Sequence, residues 1–199
     1  MGFWDDRFAG QEYKYGTEPN TFLQQQALQL TPKSRVLVPG DGEGRNGVWL
    51  AQQGHHVTSV DSSAVGLQKA QALAATRGVT LTTLRVDLVD WAPEPEHFDA
   101  VVLIFVHLPD SMRAAVHHRL AMGLRQDGLL IQEAFHPDQL QHQSGGPKDR
   151  SMLYDLALLD RDLSPLMTPV LRWHGQVQLA EGAGHQGVAC VTRWVGKRN

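Results

Sequence analysis

A single cysteine, Cys190, in 199 residues leaves nothing with which to form an internal disulfide. It sits in the alternating run GVACVTRWVG, where it reads as a small buried apolar residue. No apolar run approaches the roughly 18 residues that a membrane-spanning helix needs. The first residues, MGFWDDRFAG, lack the basic and apolar regions of a secretion signal. Cations are not in excess: Lys and Arg number 18 against 21 Asp and Glu, a net charge of −3. The broad basic face with which proteins grip nucleic acid is therefore missing. Ten histidines are present, yet there is neither an H-E-x-x-H run nor a Cys/His ligand spacing. The adjacent pairs His55–His56 and His117–His118 point in divergent directions on any helix or strand. They read as solvated or partly buried, and no metal is expected. These absences favour a cytoplasmic protein with no nucleic-acid partner and no membrane, and they leave the oligomeric state open.

What is present is enough for one buried core. Hydrophobic residues make up 42% of the chain and charged residues 20%, which suits a globular domain over residues 1–199. Pro19 opens a predicted helix through Phe22, Leu23, Ala27 and Leu30, and Pro32 ends it. Strands are predicted at 35–39, 56–60, 79–86, 98–106 and 129–134. Helices are predicted between them at 46–53, 64–76 and 111–124. Strand and helix alternate up to residue 134, the pattern of a parallel sheet covered on both faces. The rhythm then breaks at the polar loop HPDQLQHQSGGPKDR. A short helical piece follows at 151–159, then two strands at 171–181 and 187–196, whose glycine-rich GAGHQ linker makes them an antiparallel hairpin.

Ligands of open parallel sheets bind beyond the C-terminal ends of the strands. The stretch RVLVPGDGEGRNGVWLA places Gly40, Gly42 and Gly44 at the first such end, with the unpaired N–H groups of a helix start behind them. The next two strands end in Asp61 and Asp87. An acid at the first of these positions accepts ribose hydroxyls, and at the second it accepts an adenine amino hydrogen. Asp61 also reads as a helix cap alongside Ser62 and Ser63, and Asp87 as a plain loop acid. Dinucleotide-binding dehydrogenases share this logic, but they space their glycines Gly-x-Gly-x-x-Gly, and no Ser/Tyr/Lys set follows here. That reading ranks behind.

With VLVPGDGEGRNGVWLA, VTSVDSS, LRVDL and FDAVVLIFVHLP, spanning 36–109, the chain resembles the class I S-adenosylmethionine-dependent methyltransferases. The segment GRNGVWLA is similar to the bacterial tellurite-resistance and thiopurine enzymes. WDDRFAGQEYKYGTEPNTFL and SGGPKDRSMLYDL match uncharacterised bacterial members of that group. The resemblance implies a Rossmann-like α/β fold with a seven-stranded, mostly parallel sheet and an antiparallel final strand. It implies a lid and helix over 1–32, a cofactor-binding half over 33–134, and an acceptor-side loop and hairpin over 135–199. The cofactor implied is S-adenosyl-L-methionine, leaving as S-adenosyl-L-homocysteine. Its contacts would come from Tyr15, Gly40, Asp41, Gly42, Gly44, Arg45, Asn46, Asp61, Ser62, Asp87, Leu88, Ile104 and His107. The glycines are expected to lie bare against the amino-acid end of the cofactor. One departure stands out: Val38 takes the place of the family's usual acid, with Asp41 and Glu43 available to substitute.

By the same resemblance His185, in the last hairpin, falls at the acceptor pocket, with Glu181 as a companion. The competing reading is a turn histidine in solvent. His107 reads either as a cavity residue or as a loop histidine beside Pro109. Among the amino-terminal aromatics, Trp4 is expected in a satellite core and Tyr15 in a lid. The acceptor implied is a small molecule, a thiol or a metalloid oxyanion such as tellurite. An adenosine-ligand-binding module without catalysis is the reading from another class.

Overall fold

The computed structural model describes residues 2–199. The sheet has seven strands: β1 (Arg35–Pro39), β2 (His56–Asp61), β3 (Thr82–Arg85), β4 (Phe98–Ile104), β5 (Leu124–Phe135), β6 (Met167–Glu181) and β7 (His185–Arg198). Their order is β3-β2-β1-β4-β5-β7-β6. All neighbours from β3 to β5 pair in parallel, while β7 runs antiparallel to both β5 and β6. The strand order reverses between β1 and β4, which opens the crevice where such sheets bind ligands.

Parity along the strands sorts the core into two layers, because successive side chains point to opposite faces. Leu37, Val101, Leu103, Leu130 and Trp194 face helices α5 (Asp110–Met122) and α6 (Leu156–Leu163), where Val116, Leu120, Leu159 and Leu163 meet them. The alternate residues Val36, Val38, Val102, Ile131 and Val195 face the other side. There they pack on Phe22 and Leu23 of α2 (Thr21–Gln26) and Leu50 of α3 (Arg45–Gln52). Helix α4 (Ala64–Thr76) packs beside α3 through Leu73, Ala74 and Val48. A six-residue helix, α1 (Phe3–Phe8), lies against α4.

Several boundaries differ from the sequence reading. The helix after Pro19 starts one step later, capped by the Asn20 side chain on the Leu23 N–H at 2.9 Å, and turns 3-10 at Ala27. Strand β4 stops at Ile104 because Phe105 takes a left-handed backbone, φ 55°. Strand β7 begins at His185, whose Cα pairs with Glu181, so the hairpin turn is shorter than GAGHQ. The helical piece at 151–159 divides into a 3-10 turn, Arg150–Met152, and α6. Trp4 is not core: it is 41% exposed on α1, stacked on Phe8. His117 is not solvated: it is buried between α5 and α6 against Asp162. Among the described residues no helix is long and apolar enough to cross a membrane.

Candidate active site

At the C-terminal ends of β1, β2 and β4 lies a cavity of about 730 Å³. It is lined by twelve of the thirteen cofactor residues expected from the sequence, and by His185. A second, more open depression of about 650 Å³ sits at the opposite end of the sheet, around His55, His56 and Thr80. That is the end where parallel sheets do not bind ligands.

The glycines of the loop answer to protein neighbours. A methyl group on Gly40 would meet Val106 at 2.8 Å, and one on Gly42 would meet the Phe8 ring at 3.0 Å. Gly42 also has φ +57°, which side chains rarely adopt. Gly44 is the one expected residue that does not line the cavity. It turns toward α4, where a Cβ would lie 2.5 Å from that of Ala70, and it serves helix packing.

The loop acids are committed elsewhere. Asp41 accepts from Ser59 Oγ at 2.5 Å and from the Gly47 N–H at 3.2 Å, and burial pushes its carboxyl up to about 6. Glu43 accepts from the Lys14 N–H and from Lys69 Nζ, both at 2.7 Å, tying the amino-terminal segment to the loop. Asp61 accepts from the Gly42 N–H at 2.9 Å and the Ser63 N–H at 2.8 Å, which fixes the loop against the β2–α4 turn. Burial raises its carboxyl. The helix cap is Ser63, whose Oγ accepts from the Gly66 N–H. Asp87 is exposed at the rim and uses one oxygen on the Val89 N–H at 2.9 Å. Ser62, Leu88 and Ile104 line the same wall.

The opposite wall centres on His185, which is 6% exposed and no turn residue in solvent. Its Nδ1 meets Glu181 Oε2 at 3.2 Å, the same oxygen that accepts from Arg45 Nη2 at 2.8 Å. Burial pushes the Glu181 carboxyl up, but the His185 hydrogen bond and the Arg45 charge outweigh it and hold it down at about 2. Glu181 is thus an anion, His185 Nδ1 carries the proton toward it, and Nε2 keeps its lone pair. Burial, only partly opposed by Glu181, holds the imidazole below its ordinary range, so it is neutral at pH 7. Among the described residues Nε2 has no hydrogen-bond partner.

Sequence reading missed the surroundings of this pair. Tyr15, Phe105 and Phe135 ring His185 with centroids at 4.5, 4.7 and 5.2 Å. Asn20 Nδ2 bridges Glu133 Oε1 at 2.7 Å and Glu181 Oε1 at 2.9 Å, while the Asn20 N–H donates to Asn46 Oδ1 at 3.0 Å. Asn46 thereby anchors the start of α2. Asn20 closes the YGTEPN run, and nothing in that run told of its carboxylate partners on β5 and β6. Nothing local marked Phe105, whose left-handed φ is strained for an aromatic residue and sits at the cavity. His107 lines the cavity, but both its nitrogens are engaged, Nδ1 with the Met152 carbonyl at 2.6 Å and Nε2 with the Phe135 N–H at 3.3 Å. Burial holds it neutral, at about 4. It is a brace and takes no proton.

These residues fit an adenosylated amino acid. Asp61 and Asp87 suit its sugar and base. Arg45 Nη1, buried and without a partner among the described residues, is a donor that suits an anion such as an α-carboxylate.

A family model described as a methyltransferase domain matches residues 36–128. Thiopurine S-methyltransferase of Pseudomonas putida is 42% identical over 64 residues, 31% of this chain and 30% of that protein. The chain therefore aligns with under a third of the length of such curated relatives. The N-methyltransferase NodS of Bradyrhizobium japonicum, solved with S-adenosyl-L-homocysteine, superposes with a TM-score of 0.76 at 16% identity, over 98% of this chain and 96% of that one. TehB of Haemophilus influenzae does so with 0.72 at 17%, over 89% and 61%. At such identities the superpositions speak to the fold alone. Residues 36–128 thus match a methyltransferase domain, in a chain whose fold is that of the solved S-adenosylmethionine-dependent methyltransferases it superposes on.

Proposed function

We propose that this protein transfers a methyl group from S-adenosyl-L-methionine to a small acceptor, a thiol or a metalloid oxyanion, in the cytoplasm, with His185 as the base. The observation that carries this reading is the Glu181–His185 pair, buried in the wall of the cavity that Asp61 and Asp87 also line. The thiopurine S-methyltransferase match supports a sulfur acceptor. The resemblance of GRNGVWLA to the tellurite-resistance enzymes supports an oxyanion.

The cofactor supplies a sulfonium methyl that is already activated for displacement. The chain's task is alignment and proton removal. Glu181 holds the imidazole in the Nδ1–H tautomer, and Nε2 takes the proton of a thiol as the bond from sulfur to methyl forms and the sulfonium–methyl bond breaks. An oxyanion needs no such removal and would use the site for placement. Tyr15, Phe105 and Phe135 exclude water around the base. A binding module without catalysis has no use for a carboxylate-oriented imidazole at this place.

The test is calorimetry with S-adenosylmethionine alongside methyl transfer to a panel of thiols and metalloid oxyanions. His185→Ala is expected to keep cofactor affinity within about twofold. Its turnover of a thiol is expected to fall at least tenfold, about 1.4 kcal/mol in barrier. Unchanged turnover would remove His185 from the reaction. Binding without transfer to any acceptor would leave the module reading.

A further inference from the structure

The loop SGGPKD, residues 144–149, is held in place by a buried glutamine. Gln139, 1% exposed, donates from Nε2 to Ser144 Oγ at 2.9 Å and to the Gly145 carbonyl at 3.0 Å, and its Oε1 accepts from the Cys190 N–H at 2.8 Å. A Cβ on Gly145 would stand 2.6 Å from His185 Cδ2, and one on Gly146 2.7 Å from the Phe135 ring. The backbone is thus laid directly on the aromatic floor of the site, and it presents Pro147, Lys148 and Asp149 to the cavity.

Across the mouth stands Arg7 of α1, which also lines the cavity and donates from Nε to Tyr15 Oη at 3.0 Å. The Tyr15 ring in turn lies against His185. Among the described residues neither Arg7 nor Lys148 forms an ion pair. Asp149, beside Lys148, spends an oxygen on capping the Ser151 N–H at 2.9 Å. The cavity is therefore polarised. Asp149 keeps its charge just as Asp87 does while accepting one N–H, so Arg7 and Lys148, neither in an ion pair among the described residues, stand against the one carboxylate of Asp149 at the mouth, while Asp87 stands at the nucleoside end.

We propose that the acceptor carries a negative charge beside its nucleophilic atom, and that Arg7 and Lys148 read that charge as the nucleophile reaches His185. This rests on the methyltransferase reading, in which His185 marks the acceptor side. Two cations facing one small volume favour an anion and disfavour a cation or a neutral isostere, and the effect weakens with salt.

The test compares ortho-mercaptobenzoate with thiophenol, which differ by one carboxylate beside the sulfur, by calorimetry on the protein saturated with S-adenosylhomocysteine. The charged probe is expected to bind at least about tenfold more tightly. The preference is expected to shrink severalfold in Arg7→Gln and in Lys148→Gln, and to vanish in the double variant. S-adenosylhomocysteine affinity in these variants should stay within about twofold of the unsubstituted protein, which shows the fold intact. Equal binding of the two probes, no binding of the charged one, or a preference that survives in the double variant would each overturn the proposal. A protein that binds no S-adenosyl compound would refute the methyltransferase reading instead. The charge preference would then still be read on the protein alone.

Discussion

Both oxygens of Asp61 already accept a backbone amide, yet each carboxylate oxygen keeps a second lone pair. One residue can therefore brace the glycine loop and still hold a ribose. Asp61→Ala is expected to weaken S-adenosylmethionine binding by about 2–3 kcal/mol. Asp61→Asn, which retains one acceptor oxygen, should lose less. Calorimetry showing affinity within about twofold of the unsubstituted protein would leave Asp61 as a brace only. Asp61 and Asp87 could be picked out of the sequence because Asp61 closes β2 and Asp87 follows β3 by two residues, further from the strand end than the sequence reading put it, and such places can be read from a handful of neighbouring residues. Phe105 and Asn20 were not legible. The first matters through a backbone twist, and the second through carboxylates contributed by β5 and β6.

Helix α4 was predicted with its observed bounds, Ala64–Thr76, since a run of Ala, Leu, Gln and Lys carries its own propensity. Helix α5 shows where such local reasoning ends. Its inner face buries Arg113 and His117, and the carboxylate that satisfies both is Asp162 of α6, at 2.7 and 3.0 Å to one oxygen. Spacing along α5 says nothing of that partner, so His117 read only as solvated or partly buried. The α5–α6 packing rests on a buried charge that cannot be left alone. Asp162→Asn is expected to cost about 3 kcal/mol of stability, because Arg113 keeps only the exposed Asp110 as its anion. In urea unfolding this appears as a lower midpoint at unchanged slope. A midpoint near that of the unsubstituted protein would mean that water reaches Arg113.

For the molecule as a whole, Asp41 links the loop to pH. Its folded carboxyl stands at about 6 against an ordinary 3.8. A group raised in this way favours the fold while protonated, and that advantage is lost as pH rises from about 4 through about 6. Above that range the buried charge costs up to about 3 kcal/mol. Asp41→Asn should therefore raise the melting temperature more at about pH 7.5 than at about pH 4. An equal rise at both would show that Asp41 ionises without penalty. The fold was legible largely because the nucleoside end of the site is written in one contiguous block, 36–109, where motif and strand end coincide. The wall around His185 is assembled from Arg7, Tyr15, Lys148, Glu181 and His185, which meet only in space. The sheet order adds a consequence for how the chain is made. Strand β6 leaves the ribosome before β7, yet β7 lies between it and β5. Until the last fourteen residues of the hairpin emerge, β6 has no place to dock and β5 keeps a bare edge. A nascent chain halted before His185 thus carries the loops that follow β1, β2 and β3 together with an open, sticky strand, and only the emergence of β7 both seals that edge and delivers His185.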